Sequence, residues 1–168
     1  MTPLAEAASS FWGVLRVCLA VLDFFRHSNF IYIMKTKFTL ENADVKAILD
    51  AAEAEAVKNT WAVTIAVVDD GGHLLGLRRL DGVGAISAQI APAKANTAAL
   101  GRRESKVYED IINGGRMSFL SAPGLQGMLE GGVPVVKDGQ VIGAVGVSGV
   151  KSSEDAQIAR AGIAAIGL

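Results

Sequence analysis

The sequence predicts an α+β domain in which an antiparallel sheet packs against helices. Two hairpins carry that prediction. In the run from Gly131 to Gly149, Asp138-Gly139 lies between two β-branched stretches, and glycine there supplies the positive φ that a two-residue primed turn needs. A second pair, residues 61–68 and 73–80, flanks the turn Asp70-Gly71-Gly72. The third observation is the order of elements: helix, hairpin, helices, hairpin, helix. Paired strands separated by helices argue for an antiparallel sheet and against alternating βαβ units.

The first helix starts at Thr39 or Asn42 as cap and carries Val45, Ile48, Leu49, Ala52 and Ala56 on one 3/4-spaced face. Glu41 and Asp44 lie in its first turn, where the helix dipole favours negative charge, and it ends near Asn59. After the first hairpin, residues 85–100 read as helix, with Ile86, Ile90, Ala93 and Thr97 on one face. Pro92 lies inside it, removes a backbone hydrogen bond, and is expected to kink or split it. Residues 104–112 form a shorter helix closed by Asn113-Gly114-Gly115 as a left-handed cap. A long loop over 118–130, with Pro123 and Gly124, leads to the second hairpin. The last helix starts at Ser152 or Ser153, with Glu154 and Asp155 in its first turn. Gly143, Gly146 and Gly149 punctuate the final strand, where a missing Cβ admits a close backbone or ligand.

Composition narrows the function. The 168 residues, half of them apolar, carry a formal net charge of −1 and suit one globular domain with an appendage. Cations and anions nearly balance, and no basic run or cation–aromatic interleaving marks a nucleic-acid groove. Cys18 is the one cysteine, which excludes an internal disulfide and a multi-thiolate metal site within the chain. His27 and His73 are the only histidines, so a two-histidine metal motif at helical spacing and a Ser/His/Asp triad are not expected. No phosphate-binding loop of the P-loop or dinucleotide type occurs, since Gly143 to Gly149 lie within a strand.

Composition changes abruptly at Met34-Lys35-Thr36-Lys37, dividing an N-terminal extension, 1–33, from a domain over 34–168. The extension's apolar run 11–22 contains Arg16 and is followed by Asp23, too short and too charged to span a bilayer. Glu6 stands where a signal peptide would be basic. The expectation is therefore a cytoplasmic protein whose true start is Met34. An amphipathic helix docking on a partner or a membrane surface, and export through an atypical signal, are the alternatives.

Three segments resemble a known family: Val68-Asp69-Asp70-Gly71-Gly72-His73-Leu74-Leu75 with Arg79-Leu80-Asp81-Gly82, Lys94-Ala95-Asn96-Thr97-Ala98, and the glycine-rich hairpin with the tail from Glu154 to Gly162. In this order they resemble the GlcG/HbpS family over roughly residues 37–168. Its members include small stand-alone proteins and a domain at the C-terminus of PduO-type corrinoid adenosyltransferases. The resemblance implies a profilin-like antiparallel sheet of about five strands flanked by helices, and a homo-oligomer. It also implies a haem-binding, haem-degrading or haem-sensing protein, or an accessory protein of a catabolic operon.

Candidate site residues follow. The resemblance implies that Thr97, in the K-A-x-T-A pattern, contacts haem or ligates its iron weakly through oxygen. Lys94 is a candidate partner for a propionate as a point charge. The structural alternative has the threonine bonded to its own helix and the lysine paired with Asp69 or Asp81. His73, the one imidazole of the domain, is the best axial ligand by chemistry, with an exposed turn residue as the alternative. Arg78 is a candidate anion holder; it and Arg79 alternate along a strand, so only one of them points inward. Asp81 is a candidate for the cofactor site, for capping the next helix, or for binding Lys94. Glu130 and Asp155 are available carboxylates, and no catalytic residue is assigned. Haem is the first cofactor expected and a corrinoid the second. The competing reading is a non-catalytic oligomeric accessory or small-metabolite-binding protein, its glycines serving close packing.

Overall fold

A computed structural model describes Met34 and residues 36–168, so the assignments made for residues 1–33 lie outside the described residues. Helix α1 spans Asn42–Lys58 and buries Val45, Ile48, Leu49, Ala52 and Ala56, the face its spacing predicts. Its cap is Glu41, two residues after Thr39 and one before Asn42, in a reciprocal box with Asp44, whose Oδ2 accepts the Glu41 N–H at 2.9 Å. Strands β1 (Thr64–Asp69) and β2 (Leu74–Arg79) form the first hairpin. Helices α2 (Ser87–Gly101) and α3 (Lys106–Asn113) follow, then a 3₁₀ turn at Met117–Ser121. Strands β3 (Gly132–Lys137) and β4 (Gln140–Ser148) form the second hairpin, and α4 (Ser152–Ala164) closes the domain. That last helix is capped by Lys151, whose N–H donates to Glu154 at 3.1 Å, not by Ser152 or Ser153.

The sheet runs β2-β1-β4-β3 with every neighbouring pair antiparallel. Four strands, not about five, make it up among the described residues. Asp138 and Gly139 both have positive φ, 48° and 75°, the type I′ geometry that their sequence predicts. The cap of α3 also matches: Gly115 has φ 97°, and the N–H of Arg116 reaches back to the Ile111 carbonyl at 3.2 Å.

Side-chain alternation divides the interior into two layers. On one face, Ile65 and Val67 of β1, Val133 and Val135 of β3, and Val145 and Val147 of β4 pack with the apolar faces of α1 and α4. On the other, Val68 and Ala144 meet Ala95, Ala98 and Ala99 of α2. Covered on both sides, β1 reads as a nearly continuous buried run.

Helix α2 departs most from expectation. It buries Ser87, Ala91, Lys94, Ala95, Thr97, Ala98 and Ala99, whereas Ile86 of the predicted face is 61% exposed. The sheet beneath explains the change. A Cβ on Gly146 would stand 2.1 Å from the Ala91 carbonyl oxygen and 2.5 Å from the Ala95 nitrogen, so the helix lies too close for isoleucine. The split expected at Pro92 does not occur, because Ala91 and Ala95 on either side rest on the same strand. A hydrogen bond of 2.7 Å between the Thr64 and Ser87 hydroxyls, both buried, fastens the start of α2 to β1.

Candidate functional site

The turn between β1 and β2 is organised by one carboxylate. Asp69 Oδ1 accepts the N–H groups of Gly71 and His73 at 2.8 Å each, and Asp69 Oδ2 lies 3.1 Å from His73 Nδ1. Burial pushes the Asp69 carboxyl up, but the hydrogen bonds from His73 and Gly71 outweigh it and hold it below its ordinary value. The His73 side chain is 81% exposed. A carboxylate on Nδ1 fixes the ring and directs Nε2 to any metal, the arrangement found behind metal-bound imidazoles.

Helix α2 joins this turn through Asn96, whose Nδ2 donates to the Gly72 carbonyl at 3.2 Å. On its other side lies the loop before β3. Gly127 rests on the helix backbone, where a Cβ would stand 2.2 Å from the Ala93 carbonyl carbon, and its N–H donates to Thr97 Oγ1 at 3.1 Å. Ser105 ties down the end of the loop by donating its hydroxyl to the Leu129 carbonyl and accepting the Gly132 N–H. Between turn, helix and loop opens a cleft of about 430 Å³, lined by Gly72, Gln89, Pro92, Ala93, Asn96 and Gln126. Among the described residues that line it, the polar side chains are neutral amides, and His73 is the chain neighbour of the lining residue Gly72.

The candidate residues do not converge on one point. Thr97 is fully buried, its hydroxyl engaged with Gly127 rather than with its own helix. Lys94, 4% exposed, donates to Asp155 Oδ2 at 2.8 Å and to the Val147 carbonyl at 3.0 Å, so its partner is neither Asp69 nor Asp81. Asp155, 2% exposed, has its carboxyl pushed up by burial against the opposing pull of Lys94. Arg78 faces α1 and pairs with Asp50 and Glu53, while Arg79 donates to the Val83 carbonyl. Asp81 lies beyond the far end of β2 from His73, with the six residues of that strand between them, about 20 Å at the usual rise. It does not cap α2, which has no side-chain cap. Glu130 and Asp155 have different partners: the Glu130 N–H donates to Glu109, and its carboxylate lies 3.9 Å from Lys106. Ser105 and Gly127, which shape the cleft, have no signature in the sequence beyond a glycine in a long loop. Among the described residues, no group of three or more His, Cys, Asp or Glu side chains could hold a metal ion. No described helix is long and apolar enough to cross a membrane.

The family model described as haem degrading protein HbpS-like matches residues 40–164. The chain belongs to the HbpS-like family. Protein GlcG of Escherichia coli strain K12 is 59% identical over 115 residues, which is 68% of this chain and 85% of GlcG. The crystal structure of a double mutant of Streptomyces reticuli HbpS superposes with a TM-score of 0.72 at 30% identity, over 80% of this chain and 92% of that one. The crystal structure of a PduOC:heme complex superposes with a TM-score of 0.67 at 29% identity, over 76% of this chain and 95% of that one. The α+β fold of this HbpS-like chain, an antiparallel sheet flanked by helices, is thus that of its relatives.

Proposed function

We propose that this HbpS-like protein binds haem at the cleft between the β1–β2 turn, α2 and the loop before β3, with His73 as the axial ligand. The observation that carries the reading is the exposed imidazole of His73, held through Nδ1 by Asp69 in the turn whose Gly72 lines that cleft. Asp69 orients the ring, Asn96 ties the turn to α2, and Thr97 holds the loop wall through Gly127. Bound haem would supply redox and oxygen chemistry at its iron, while the chain supplies orientation and one nitrogen donor. The PduOC:heme complex and the HbpS-like family description support a tetrapyrrole ligand, and a corrinoid is the second to test. Lys94 and Arg78 are already paired within the fold. The reading therefore rests on His73, with Thr97 acting through the loop. Leu75 and Leu77, exposed on the edge strand β2, support assembly into a homo-oligomer.

A haem titration followed at the Soret band tests this. The chain is expected to bind one equivalent saturably, His73→Ala to weaken binding tenfold or more, and Thr97→Ala to weaken it less. Loss of the Soret band on adding reductant and oxygen would then separate degradation from storage or sensing. The second reading, an accessory small-metabolite binder, is favoured by the neutral amides Gln89, Asn96 and Gln126 of the cleft. A non-saturating response unchanged by His73→Ala would select it.

A further inference from the structure

At the opposite end of β2, where α1 gives way to β1, lies a second depression of about 360 Å³, lined by Val57, Thr60, Trp61, Ala62, Leu80 and Asp81. Trp61 and Leu80 pack partly on the main core and also line this depression. Among the described residues that line it, the one charged group is the Asp81 carboxylate, which makes no ion pair or hydrogen bond with another described residue. The neighbouring Arg79 does not neutralise it, since that guanidinium donates to the Val83 carbonyl at 3.1 Å. Thr60 adds a rim. It follows the end of α1 with a left-handed φ of 58°, a conformation costly for a β-branched residue where glycine would be unstrained. Its hydroxyl donates to the Asn59 carbonyl at 2.6 Å.

An indole, a single carboxylate and aliphatic walls form the chemistry that selects an alkylated ammonium ion: the ring quadrupole and the carboxylate attract the charge, and the walls take the methyl groups. We propose that this depression binds a small alkylammonium cation of the choline type, with Asp81 supplying the countercharge and Trp61 the aromatic face. The site is separate from the haem cleft, and neither depends on the other.

The test is calorimetric titration of the full chain with choline chloride, with 3,3-dimethyl-1-butanol as the uncharged isostere. Saturable choline binding, no binding of the isostere, and a loss of tenfold or more in Asp81→Asn are expected. Because Asp81 is exposed, that variant should fold as the parent does, which unfolding in urea would verify. Trp61→Leu is expected to lose choline binding as well. Absence of saturable binding, equal binding of the isostere, or unchanged affinity in Asp81→Asn would each overturn the proposal. Phosphatidylcholine vesicles added as competitor separate two sources of the same chemistry: displacement of choline indicates a lipid headgroup, and no displacement a free metabolite.

Discussion

Lys94 is a candidate ligand contact by its sequence motif, yet its ammonium lies in the protein interior, linking α2 to Asp155 of α4 and to the Val147 carbonyl of β4. Removing one partner of such a pair leaves the other charge buried and uncompensated, at a cost of about 3–5 kcal/mol. Lys94→Met is therefore expected to lower stability by that order, measured by urea unfolding at pH 7. Lys94→Met combined with Asp155→Leu should recover most of the loss, because replacing both charges by apolar groups removes the desolvation penalty with the attraction. A double variant no more stable than the single one would show that the pair itself carries the packing. The sequence makes Lys94 and Asp155 visible as charged residues but not as partners. They are 61 positions apart, and their meeting depends on two helices from opposite faces of the sheet. Thr97 is similar: its hydroxyl is legible, whereas the Gly127 amide that occupies it is not.

Elements with strong local rules are legible in the sequence, and those shaped by a neighbour are less so. The face of α1 and the β3–β4 turn follow from spacing and from Asp138-Gly139 alone. The buried face of α2 does not, since large apolar residues usually mark the inward side and here alanines do. Gly146 makes that substitution necessary, and two glycines of one hairpin separate close approach from backbone conformation. Gly146→Ala would put a Cβ 2.1 Å from the Ala91 carbonyl and lift α2, costing about 3 kcal/mol, at the upper end of overpacking. Gly139→Ala meets no atom within 4 Å and pays only for its φ of 75°, about 1 kcal/mol. Urea midpoints at constant slope should show this difference, and equal losses would mean that α2 yields readily.

Across the whole domain, stability in acid is set by carboxylates displaced in opposite directions. Hydrogen bonds from Lys46 and then Arg78 hold Asp50 below its ordinary 3.8. Gln157 is the main cause holding Glu55 below 4.5, and the turn bonds of Asp69 outweigh its burial to keep it below 3.8. Each of these binds its proton more weakly folded than unfolded. Their contribution is present above the unfolded values and is lost as pH falls through the folded ones. Asp155 has the reverse sign. Burial raises its folded value above 3.8, so between 3.8 and that value the folded state holds more protons than the unfolded, and stability rises as pH falls. The domain is therefore expected to gain slightly on acidification from neutrality and then to lose stability steeply below about pH 4 as the lowered carboxylates protonate. Asp155→Asn removes the gain and leaves the acid limb, whatever its effect on absolute stability. Urea unfolding from pH 3 to 7 should show this change of shape. An unaltered shape in Asp155→Asn would mean that Lys94 holds Asp155 ionised in the interior, with attraction outweighing burial.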